Sequence, residues 1–252
     1  MAPEPMYDVS VSTNEPLEGT LIVGLANVGL AGLTAVDYLV THREFERVGY
    51  VRSRGLPEIT PVENGEPRHP TRVYASTQID CTVLLSELFV PVWAADAFVE
   101  GVLEWVDSTG IDELAVFHGV PYPHGPDEHD VFSVATPEYR NRRLAESTVS
   151  PVSGGVLDGV AGALTIRSLE REAPPLGAFV TPTHPPGPDL EASLRYLELL
   201  ETVYDIEIDD EQLRERAAEL QRYYGELADR IGALDSQANP ENRSFPEDRM
   251  FM

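Results

Sequence analysis

The 252-residue sequence contains no lysine. All 18 of its basic residues are arginine, against 43 aspartates and glutamates, which leaves a formal charge of −25. A field of that sign and size repels phosphate backbones and anionic lipid, and no basic patch offsets it, so neither nucleic acid nor a membrane is an expected partner. The same excess suits a cytosol of molar salt, where the Debye length shrinks to roughly 3 Å and an acidic surface is tolerable. The composition therefore predicts a salt-accumulating, archaeal cell. Cysteine is nearly absent as well. With Cys81 alone, an intrachain disulfide is excluded and a reducing interior is expected. Its setting in "CTVLLSELFV" predicts a buried strand position without a chemical role. No run of about 18 apolar residues appears, and the first 16 residues lack a charged segment followed by an apolar one, so the expected location is cytoplasmic.

A hydrophobic content of 42% suffices for a substantial core. "TLIVGL" reads as a strand meeting a tight turn, and "NVGLAGLTAVDYLVTH" has helical spacing at Val28, Leu33, Val36 and Leu39. "RVGYVRS", "TRVYAST" and "CTVLLSELFV" read as further strands, the second alternating as a half-buried strand does. "AADAFVEGVLEWVDSTG" reads as a helix ended by Gly110, and "ELAVFHGV" as the strand after it. The proline- and charge-rich "PYPHGPDEHD" is a loop, and "DVFSVAT" an edge strand. A helix over "GGVLDGVAGALTIRSLEREA", a strand in "LGAFVTPT" and a helix in "PDLEASLRYLELLETVY" follow. Strands alternating with helices predict a three-layer α/β/α domain with a mainly parallel central sheet over residues 1–208, since parallel strands need crossover helices.

From Asp209 the pattern changes. Leu213, Leu220, Leu227 and Leu234 recur every seven residues, with Ala217, Tyr224 and Ile231 between them, so an apolar seam of period 3.5 runs over residues 209–235. The seam serves either to lay the helix on its own domain or to meet a second subunit or partner. Residues 236–252 then form a polar, proline-broken tail that ends in Met250, Phe251 and Met252. A fraying terminus tolerates almost any residue, which is the plain reading of that ending.

Several stretches carry chemistry-bearing residues. Gly24, Ala26 and Gly29 in "GLANVGLAG" fit a loose G-x-[GA]-x-x-G after a strand and before a helix, where backbone amides can hold a pyrophosphate. Against that, the Ala26 methyl limits close approach, and the next strand ends "VRSR" with no carboxylate for a ribose, although Arg52 or Arg54 could accept a 2′-phosphate. Glycines at Gly24 to Gly32 also let a helix pack tightly on a sheet. His118, His124 and His129 with Asp127, Glu128 and Asp130 have the ligand chemistry for zinc, at a spacing that matches no metal motif. Ser153 in "PVSGG", Ser86 and Cys81 are the candidate nucleophiles, and Pro151 stands where a nucleophile elbow needs glycine. No catalytic, cofactor or metal site is assigned.

The order "LIVGLANVGLAGLTAVDYLV", "VGYVRSRGLPEITPVENGEPRHPTRVY", "TVLLSELFVP", "SGGVLDGVAGALT" and "GAFVTPTHPPGPDLEASLRYLELL" resembles an archaeal member of the proteasome assembly chaperone family, in the branch similar to assembly chaperone 2. The likeness spans roughly Leu21 to Asp209. It implies a fold similar to that of purine nucleoside phosphorylases, homo-oligomers, no enzymatic activity and no cofactor, with the α subunits of the 20S proteasome as partner. Fold likeness does not carry phosphorylase chemistry with it. The resemblance also gives the ending a role. Proteasome-binding proteins of several kinds end in a hydrophobic residue, a tyrosine and any residue, and Met250, Phe251 and Met252 match that pattern with phenylalanine in the tyrosine position. An oligomer or partner contact of the heptad helix, the second reading of its seam, would run through Leu213, Leu220, Tyr224, Leu227, Ile231 and Leu234. The alternative is an enzyme or binding protein for a nucleotide or other phosphorylated small molecule held at residues 24–32.

Overall fold

The computed structural model describes residues 6–238 apart from 14–15, 57, 122–124, 126–127 and 186, with the backbone alone over 227–238. Its frame is one mixed sheet of eight strands in the order β1 (Met6–Val11), β3 (Glu46–Arg54), β6 (Thr71–Ala75), β7 (Cys81–Ser86), β2 (Glu18–Leu25), β8 (Gly110–Val120), β10 (Leu176–Pro182) and β9 (Phe132–Ala135). The four central strands β7, β2, β8 and β10 run parallel, and the flanking strands pair antiparallel. Helices cover both faces, which explains why β2 and β7 read as continuous apolar runs instead of alternating.

On one face lie α2 (Ala95–Val106) and α4 (Gly159–Leu169). Phe98, Val99, Val102 and Val106 of α2 recur at helical spacing and join Leu21, Val23, Leu84, Leu114 and Val116 of the sheet in one buried cluster. The edge strand β1 is held there by Tyr7, whose ring meets Phe98 edge-on at 5.1 Å. On the other face, α1 (Ala31–His42) and α5 (Leu190–Tyr204) pack on each other and on the central strands. Phe117 of β8 stacks on Tyr196 of α5 with ring centroids 4.5 Å apart.

The short α3 (Pro137–Arg143) brings two arginines to a fully buried carboxylate. Glu113 accepts hydrogen bonds from Thr20 Oγ1, from Arg143 Nε at 2.7 Å and from Arg142 at 3.4 Å. A buried charge persists only with such partners.

Most expected elements stand where the sequence put them, with five differences. The helix expected from Gly154 begins only at Gly159, because Gly159 has φ +56°, off the helical path. The segment 71–75 is not half-buried. Thr71, Arg72 and Val73 are all enclosed, Arg72 because its guanidinium meets Glu87 at 2.7 Å. Strand β1 and helix α3 have no counterpart in the sequence reading. Between β3 and β6 the chain also makes a small hairpin, β4 (Val62–Glu63) with β5 (Glu66–Pro67). It turns through Asn64 and Gly65, both at positive φ, as a two-residue hairpin turn requires.

The chain divides into two units between Asp210 and Glu211. The second unit contains α6 (Glu211–Ala238), which covers the heptad segment. No helix among the described residues is long and apolar enough to cross a membrane.

Candidate binding surfaces

The four parallel strands all run out at one edge of the sheet, where open α/β folds usually bind their ligands. The glycine turn follows β2 at this edge, and it is closed. A Cβ at Gly24 would lie 2.6 Å from Cβ of Val36 and 2.8 Å from the carbonyl of Gly32, so the glycine exists to let α1 lie against β2. Gly29, at φ +73°, faces Thr183 with room for no side chain, since a Cβ there would sit 2.5 Å from Cβ of Thr183.

The loop after β10 seals the turn from above. Asp189 N–H donates to the Gly29 carbonyl at 2.7 Å, and Gly187 lies against the Gly29 backbone. Asp189 is itself tightly held. It caps α5 through Ala192 N–H and accepts from the His184 amide and ring; burial opposes its ionisation, but these donors keep its carboxyl below the ordinary carboxylate range. Two of the turn's amides are spent within the fold: Ala26 donates to Ser86, and Leu30 to Asn27. Asn27 Oδ1 and Thr183 Oγ1 are buried here without partners, so the turn is closed by shape more than by hydrogen bonds. Arg52 and Arg54, the possible acceptors of a 2′-phosphate, do not face this turn but line a cleft on the β3 side of the sheet.

The other candidates separate in the same way. Ser86 is fully buried and bonds Thr71 Oγ1 at 2.6 Å and the Leu88 backbone, which makes it a structural hydroxyl. Burial pushes the Cys81 thiol up to about 12, so it carries no thiolate at neutral pH. Ser153 is exposed in the loop before α4. Among the described residues no group of three or more His, Cys, Asp or Glu side chains is placed to hold a metal. His118 lies with Nε2 3.7 Å from Asp158 Oδ1, and His129 meets the His184 ring edge-on, while His124 and Asp127 lie outside the described residues.

The sequence reading did not single out a set of exposed apolar side chains at the same edge. Phe89, Val92 and Trp93, in the segment after β7, are each at least 60% exposed, and Val156, before α4, is 93% exposed. The 3-10 turn Val92–Ala94 packs on α4. Large apolar residues held open to solvent together are a feature of protein-binding surfaces, where tryptophan is favoured. The signal was present in "ELFVPVW", a run too apolar for an exposed loop.

Of the heptad seam, Leu213 is buried, Leu220 half-buried and Tyr224 exposed. Leu227, Ile231 and Leu234 fall within α6, but their side chains lie outside the described set. Met250, Phe251 and Met252 lie outside the described residues altogether.

The architecture is thus a mixed α/β/α frame with a packed glycine turn. The chain belongs to the PAC2 family, whose model matches residues 21–228. It is 23% identical over 221 residues to an uncharacterised protein of Methanocaldococcus jannaschii, an alignment covering 88% of this chain and 90% of that one. Among solved structures it is similar to Pyrococcus furiosus PbaA, described as an archaeal homolog of proteasome-assembly chaperone, with a TM-score of 0.77 and 18% identity over 92% of this chain and 96% of the other. Pyrococcus furiosus PbaB, described as an archaeal proteasome activator, matches with a TM-score of 0.74 and 19% identity over 88% and 99% of the two chains.

Proposed function

We propose that this chain is a non-enzymatic assembly chaperone or regulator of the proteasome that works in the cytoplasm and binds the 20S α ring through Met250, Phe251 and Met252. Membership of the PAC2 family over residues 21–228 is the observation that carries the reading. The likeness to an assembly-chaperone homologue and to a proteasome activator supports it.

The physical case for the ending rests on reach and chemistry. The 14 residues after Ala238 span at most about 50 Å when extended, enough to reach a groove away from the domain. A phenyl ring and flexible methionine side chains fill an apolar pocket, and the carboxylate of Met252 can pair with a basic residue beside it. The chain acts as a homo-oligomer, with the α6 seam at Leu220, Tyr224, Leu227, Ile231 and Leu234 as its subunit contact, Leu213 being already buried within the chain. Several tails on one oligomer raise their effective concentration at a ring of repeated grooves.

One experiment tests both contacts. Full-length protein, a form ending at Arg249 and Leu220→Glu are compared for capture of 20S proteasome in high-salt buffer and for sedimentation. Loss of the last three residues abolishes capture at unchanged oligomer size and melting temperature. Leu220→Glu lowers the subunit count, because a buried carboxylate without a partner is strongly disfavoured. Undiminished capture by the shortened form rules out the tail as the docking element, and an unchanged subunit count rules out the seam as the subunit contact.

A further inference from the structure

We propose that the cleft beside β3 is a binding site for a small phosphorylated anion. This goes beyond the proteasome reading and does not depend on it. The cleft has a volume of about 760 Å³, within the range of small-molecule sites, and lies between β3, the segment after it and the residues leading into β6.

Its charge is the reverse of the chain's. Among the described residues, four arginines line it, Arg47, Arg52, Arg54 and Arg68, together with His69, against a single acidic residue, Glu58. In a protein of charge −25, chance placement would bring carboxylates to any surface more than twice as often as guanidinium groups. The four arginines are not equally engaged. Arg68 is tied to Glu63 and to Glu87 at 2.8 Å, yet its Nε is buried without a partner. Arg54 reaches Asp8 at 3.5 Å across exposed surface. Arg47 and Arg52 take part in no ion pair among the described residues. The acidic side chains of this protein are numerous enough to neutralise them, and the fold leaves them open.

The chemistry of the donors selects the ligand. A guanidinium presents its N–H groups as a planar fork that matches phosphate oxygens two at a time, and several such forks in one cavity favour a ligand with more than one negative charge. His69 adds a further nitrogen and is held flat by stacking on Tyr50, with ring centroids 3.8 Å apart. The long-range field of the protein repels anions, so the site must hold its ligand by short contacts, and these survive the salt that screens the field. Apolar walls from Ile59 and Leu88 leave room for a group attached to the phosphate.

The test is thermal unfolding of the full-length protein with sodium pyrophosphate, ADP or ribose 5-phosphate, each against sodium sulfate at the same ionic strength. A ligand at about 100 times its dissociation constant raises the melting temperature by about 5 °C or more. The double variant Arg47→Ser with Arg52→Ser melts at the wild-type temperature without ligand and loses that rise. Pyrophosphate acting as strongly as ADP identifies the phosphates as the recognised part, a larger rise with ADP identifies a nucleotide, and a rise with ribose 5-phosphate alone identifies a sugar phosphate. The proposal is overturned if none of the three exceeds sulfate, or if the double variant responds as the wild type does.

Discussion

Two places on the same sheet edge invert what their sequences advertise. β3 is antiparallel to β6, which is antiparallel to β7, so β3 runs out at the edge where β7 and β2 do. At the exit of β2 stands a glycine-rich turn with the spacing of a phosphate cradle, and it is filled by Val36, Thr183 and Gly187. At the exit of β3 stands no motif at all, and there an arginine-lined cleft is open. A glycine removes a side chain, and whether the freed space takes a ligand or another part of the fold depends on residues far away in sequence, here Thr183 and Asp189. A charged cleft is assembled from strands whose register no local pattern reveals.

Glu87 gives the sharpest way to break the comparison, because it serves both arginine roles. It holds the enclosed guanidinium of Arg72 at 2.7 Å and that of the cleft residue Arg68 at 2.8 Å. Glu87→Ala leaves Arg72 with the Tyr74 hydroxyl, the His69 carbonyl and Asp37 at 4.0 Å. Removing one partner of a buried pair costs about 3 kcal/mol at the lower end of its range, and we expect that loss in chemical unfolding. Arg47→Ser and Arg52→Ser, which break no pair, should each stay within about 0.5 kcal/mol of wild type. Equal losses for Glu87→Ala and Arg52→Ser would show that Arg52 is a structural cation after all.

The closed turn is tested by one methyl group. Gly24→Ala forces Val36 or the Gly32 carbonyl to move, and overpacking of this kind costs about 1–3 kcal/mol. The melting temperature should fall by several degrees, and the rise that a phosphorylated ligand gives through the β3 cleft should be unchanged. A variant as stable as wild type would mean that the turn has space, and would reopen it as an anion site.

How much of this was legible follows from the same physics. Helices α1, α2 and α5 were readable because each shows one apolar stripe at 3.6-residue spacing, and the central strands because both faces are buried. Strand β1 was not, since "MYDVSV" buries only Tyr7 fully and is bordered by polar residues. Helix α3 was not, because a seven-residue charged segment buries Tyr139 alone and exists to deliver Arg142 and Arg143 to Glu113. Trp93 and Phe89 were hidden among residues that looked like core. The glycine turn was located correctly as strand, turn and helix, and its packing role was one of the two readings the residues allowed. In "RVGYVRSR" Arg52 and Arg54 could be marked only as acceptors of a 2′-phosphate beside the glycine turn, because nothing local placed them in a separate cleft.

The smallest expected effect concerns His118, which stands at the closed end of the edge beside Asp158. Burial lowers its tendency to protonate below the ordinary value of 6.5, and the nearby Asp158 carboxylate offsets only part of that. The unfolded chain therefore binds the proton more readily than the native one just below pH 6.5, and stability must fall as pH drops through that value. The slope for a single group is at most about 1.4 kcal/mol per pH unit, and it disappears above the unfolded value, where both states are neutral. His118→Gln has no proton to bind, so its stability should decline less than that of wild type between pH 6.5 and 5, while the two run parallel between pH 7 and 8. Other histidines titrate in both proteins and cancel in the difference. Parallel curves over the whole range would mean that His118 titrates as it does in water, and that the edge sealed by the β10 loop opens to solvent in solution.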